Sequence, residues 1–138
     1  MADPITQAIY DRMKDDQILA GKLASYKSAA AIFTAEPVPF DAARPYIIAA
    51  GAVTDVSFDT KTEEGREVMR DIRVYCDASG TAEVVEAIAL RLRDLFHRYR
   101  LPVEGFSTLI ASVTGPIAIP TDEHIQGRAV SLTLTVQQ

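Results

Sequence analysis

Residues 31–48 read Ala-Ile-Phe-Thr-Ala-Glu-Pro-Val-Pro-Phe-Asp-Ala-Ala-Arg-Pro-Tyr-Ile-Ile, two apolar runs hinged by three prolines. The first run predicts a strand from about Ala30 to Ala35. Pro37 and Pro39 end it, because proline lacks the ladder donor and restricts the residue before it. After Pro45, Tyr46 to Phe58 is rich in β-branched and aromatic residues and reads as a second strand with a bulge at Gly51. The block joins an N-terminal helical segment to a sheet and carries no recognisable catalytic group.

Toward the N-terminus, Asp3-Pro4 is an N-cap acceptor followed by proline at the first helical position. Ile5, Ala8, Ile9 and Met13 then fall at helical spacing, Asp15 and Asp16 interrupt, and Ile18, Leu19 and Leu23 predict a short second helical turn before residues 25–28. Toward the C-terminus, the polar run from Asp59 to Arg66 reads as an exposed connection. Glu67 to Asp77 then alternates, with Val68, Ile72, Val74 and Cys76 on one face and Met69, Asp71, Arg73 and Tyr75 on the other. These two strands and their connection predict a long hairpin. From an N-cap at Thr81 to Arg100, Val84, Val85, Ile88, Leu92, Leu95, Phe96 and Tyr99 form an apolar helical stripe that must lie across a sheet. Glu83 and Glu86 suit the positive end of that helix, Arg98 and Arg100 the negative end, and Pro102 stops it. Two further strands are expected at Ser107–Thr114 and Gly127–Val136, separated by a turn-rich stretch from Gly115 to Gln126. In the last strand Val130, Leu132, Leu134 and Val136 alternate with small residues. The order predicts an α+β two-layer sandwich: a mixed, mainly antiparallel sheet, a long amphipathic helix on one face and an additional N-terminal helix. Nothing divides the chain, so 1–138 is expected to be a single domain.

At 138 residues, one core burying roughly 68% of the unfolded chain's surface is expected. The composition, 48% hydrophobic and 24% charged, is globular, and no apolar stretch approaches the ~20 residues a bilayer requires. The start lacks the basic and apolar regions of a secretory signal, so folding in a cytoplasm is expected. A net charge of −5 makes the surface repel nucleic acid and anionic lipid. Arginine outnumbers lysine ten to four, which suits bidentate pairing at interfaces and is equally a mark of genome base composition. The single cysteine, Cys76, sits in an apolar strand pattern and reads as a small buried hydrophobe.

The search for chemistry yields little. His97 and His124 are too far apart for helical or loop metal-ligand spacing, and consecutive Asp122, Glu123 and His124 point in different directions. Phosphate loops, paired cysteines, nucleophile elbows and zinc-protease motifs are absent from the sequence. Ser25, Ser28, Ser79 and Ser107 have no identifiable base. The acids Asp55, Asp59, Glu63 and Glu64, on or beside the hairpin, serve solubility unless a partner gives them a further role. Neither catalytic residues, nor cofactor, nor metal are expected.

Several stretches, in order, resemble one known family: the opening helix to Asp15-Asp16, the Ile18-Leu19 turn, Ala31–Pro37, Arg44–Ile48, Arg73–Asp77 leading into the amphipathic helix, and the alternating last strand. Along nearly its whole length the chain is similar to bacteriophage tail-terminator and tail-completion proteins. These are the family of the lambda minor tail protein U, also found in gene transfer agents.

The resemblance implies a non-enzymatic virion protein, assembled in the bacterial cytoplasm, that forms a homo-oligomeric and usually hexameric ring. Such a ring caps the tail tube protein, stops tube polymerisation and offers a joint to the head-side connector or stopper, while DNA passes through unbound. A radius of gyration of roughly 14 Å corresponds to a sphere about 37 Å across, and six touching spheres leave a hole of the same width, enough for a duplex. On this reading Asp59, Thr60, Lys61, Thr62, Glu63, Glu64, Gly65 and Arg66 are the candidate tube-contacting loop. Asp55, Asp59, Glu63 and Glu64 are candidate lumen acids. A neck or stopper subunit is the related alternative, and a small α+β ligand-binding domain or enzyme the remote one.

Overall fold

Two long antiparallel strands frame the molecule, and everything else is hung on them. The computed structural model describes residues 4–34, 38–39, 41–49, 52–59, 64–77, 82–103, 105, 107–108, 111–119, 121 and 123–137. In chain order these form α1 (Pro4–Lys14), α2 (Gln17–Lys22), β1 (Ser25–Tyr26), β2 (Ala29–Ala30), β3 (Ile32–Phe33), β4 (Tyr46–Ile48), β5 (Ala52–Asp59) and β6 (Glu64–Asp77). There follow α3 (Glu83–Phe96), β7 (Ser107–Thr108), β8 (Ser112–Ala118) and β9 (Ile125–Gln137). β6 and β9 pair without interruption from Gly65↔Gln137 to Asp77↔Ile125. On the outer side of β6 lie β5 and β4, with β3 parallel to β4. On the outer side of β9 lie β7 and β8.

The alternation read from the sequence places the core. Val68, Ile72, Val74 and Cys76 of β6 are buried together with Val130, Leu132, Leu134 and Val136 of β9. α3 lies on that face with Val85, Ile88, Leu92, Leu95 and Phe96 buried. Beside it α1 buries Ile5, Ala8, Ile9 and Met13, giving the second layer. The fold is the expected α+β sandwich. Two polar side chains are buried among the described residues, Thr108 of β7 opposite Val136 and the charged Arg70 of β6. Arg70 is only 8% exposed, opposite Leu132, and its Nη1 lies 3.4 Å from Thr6 Oγ1 in the first turn of α1.

Several expected boundaries move, each for a physical reason. The strand expected over residues 30–35 is two short pieces, β2 and β3. β2 pairs back on β1 through a turn at Lys27 and Ser28, both with positive φ. The strand expected over Tyr46–Phe58 is divided after Ile48, both halves lying along the same side of β6. Its register irregularity falls between Ala52 and Thr54, and Gly51 lies outside the described residues. So do Asp3 and Thr81; α3 is capped not at Thr81 as expected but at Ala82, which has no side-chain capping bond. α3 ends at Phe96 rather than Arg100, because Arg98 takes a left-handed φ of 59° and turns the chain onto the sheet. Val84, expected in the apolar stripe, is 50% exposed.

The strand expected over Ser107–Thr114 is also two pieces, β7 and β8. β8 continues to Ala118, through residues expected to be turn. It can pass Pro116 because its outer side is covered by the end of α3 instead of another strand. Arg93 Nη1 donates to Gly115 O at 3.0 Å, Val113 N–H to His97 Nδ1 at 3.1 Å, Arg98 N–H to Ala111 O at 2.8 Å and Ala111 N–H to Tyr99 O at 2.9 Å. A bulge lies between Thr114 and Ile117. Gly115 is required there, at φ 100°, since a Cβ would sit 2.9 Å from Ala129 O. Among the described residues no helix is long and apolar enough to cross a membrane.

Candidate functional site

The expected tube loop narrows in the structure. Asp59 ends β5 and Glu64 opens β6 as its paired partner, so Glu64, Gly65 and Arg66 are strand residues. Only residues 60–63 connect the two strands, and they lie outside the described residues. Asp55 pairs in register with Val68, well below the hairpin tip. Among the candidate acids, Asp59 and Glu64 are therefore neighbours across the hairpin, and Asp55 is not beside them.

The remaining candidates are structural where the structure describes them. His97 caps the C-terminus of α3 and accepts the Val113 N–H, which places its proton on Nε2. His124 and Glu123 are exposed and lie 3.5 Å apart, while Asp122 lies outside the described residues. Cys76 is buried, and burial first, then the charge of Asp77, pushes its thiol up to about 11. It packs as a small hydrophobe. Ser25 and Ser28 lie at the β1–β2 hairpin and Ser107 on β7, apart from one another, and Ser79 lies outside the described residues.

A cavity of about 320 Å³ opens where α1, the start of α2, the end of α3 and the segment after it meet. Ala8, Leu95, Leu101 and Pro102 supply its apolar wall, and Arg12 and Tyr99 meet within it. The Arg12 guanidinium stacks 3.8 Å from the Tyr99 ring centre, and its Nε donates to Leu95 O at 3.2 Å. These two contacts fix the plane of the guanidinium, whose terminal nitrogens have no hydrogen-bond partner among the described residues.

At the cavity edge Asp16 acts twice. One carboxylate oxygen caps α2 by accepting the Leu19 N–H at 2.9 Å, and the two oxygens accept Arg91 Nε and Nη2 at 2.9 and 2.6 Å. Arg91's hydrogen bonds, helped by Leu19 and opposed by burial, hold the Asp16 carboxyl below its ordinary range. A depressed pKa stabilises the fold above the unfolded value of about 3.9, and that contribution disappears as pH falls through the folded value. Asp16→Asn keeps a capping side chain and loses the charge. We expect it to lower stability at pH 7 by about 1 kcal/mol, less than the ~1.5–3 kcal/mol of charged hydrogen bonds because water reaches the pair. The gap to wild type should close as pH falls below about 4 in thermal unfolding series. A gap independent of pH would show that the ion pair contributes nothing.

Sequence reasoning treated Asp15-Asp16 as a helix break and missed the cavity altogether. Its one local signal was the acceptor Asp16 three residues before Leu19, the spacing of an N-cap. Arg12, Arg91 and Tyr99 come together only through the packing of α1 on α3.

No protein-family profile and no curated protein matches the sequence. Solved structures do match. A chain in the virion of a native gene transfer agent particle superposes with a TM-score of 0.79 at 18% identity, covering 97% of this chain and 95% of that one. A second solved chain has a TM-score of 0.66 at 17% identity, covering 99% of this chain and 95% of that one. At such identities the likeness shows a shared fold over essentially the full length of all three chains.

Proposed function

We propose that this chain is a structural protein of a phage-like or gene-transfer-agent particle and, within it, the tail terminator. The observation that carries this reading is the near-complete superposition on a chain of a gene transfer agent virion. The family resemblance in the order of its sequence elements supports the finer role. On this reading 1–138 is one domain that folds before it assembles, joins copies of itself into a ring, most simply a hexamer, and seats on the last ring of tail tube protein. The ring stops tube growth, presents its other side to the head-side connector or stopper, and lets DNA through. Its −5 charge favours passage over binding, and Asp55, Asp59, Glu63 and Glu64 are the acids we assign to the lumen. The role needs no cofactor and no turnover.

The test uses purified protein with the tube and head components encoded beside it. Electron microscopy should show a cap at one end of the tail tubes, and tube elongation should stop. Binding to portal-bearing heads with none to tubes would make the protein a stopper instead. Binding to neither would remove the assembly reading.

A further inference from the structure

We draw no further inference here: the strongest candidate, the patch of half-buried rings that runs from Tyr26 of β1 through Phe33 and Tyr46 to Tyr75 on the sheet face turned away from α3, is an unpartnered apolar surface, and nothing in the structure shows what covers it.

Discussion

Leu134→Asp should leave a chain that does not fold at 25 °C. Leu134 is 1% exposed, lies on the core face of β9 and pairs with the fully buried Val68. Truncating a buried leucine to its β-carbon costs about 2–5 kcal/mol. An unpaired carboxylate at the same place adds the cost of desolvating or protonating it. Together these rival a total stability of roughly 5–15 kcal/mol. The same substitution at Leu132 is a poorer test, because Leu132 pairs with Arg70, whose guanidinium could neutralise the new charge. Circular dichroism should show Leu134→Asp without a cooperative transition. A melting temperature within about 5 °C of wild type would mean that β9 turns its other face to the core.

Shortening the β5–β6 connection should leave a folded domain that no longer terminates tails. Asp59 and Glu64 form the last pair of the hairpin, so replacing residues 60–63 by Asn-Gly closes the same two strands with a two-residue turn whose twist matches theirs. Stability should change by less than about 1 kcal/mol, because the strand pairs from Asp59↔Glu64 onward and the buried residues of the core are all kept. If residues 60–63 contact the tube, particles built with this variant should carry overlong or headless tails. Tails of normal, uniform length joined to heads would remove the loop from the tube interface and leave the rest of the reading standing.

The readable parts of the fold are those where burial follows one period. Val130, Leu132, Leu134 and Val136 alternate and are buried, and Ile5, Ala8, Ile9 and Met13 recur at helical spacing and are buried. What escaped is decided by partners distant in sequence. β8 runs through Pro116 because Arg93 and His97 of α3 cover its edge, and local propensity carries no trace of that cover. α3 stops at Phe96 because residues 98 and 99 pair with Ala111, although Tyr99 continues the apolar spacing. Val84 fits the stripe by count yet is half-exposed in the first turn of α3. The cavity was illegible for the same reason: Arg12 and Tyr99 stand far apart in sequence, and only the packing of α1 on α3 stacks one on the other.

Cryo-electron microscopy of the particle neck is the most direct test of the central claim. The account predicts density for this chain as one closed ring, between the last ring of tube protein and the head-side connector, with a channel wide enough for duplex DNA. Density for the chain in the capsid shell or at the far end of the tail, or its absence from purified particles, would contradict it.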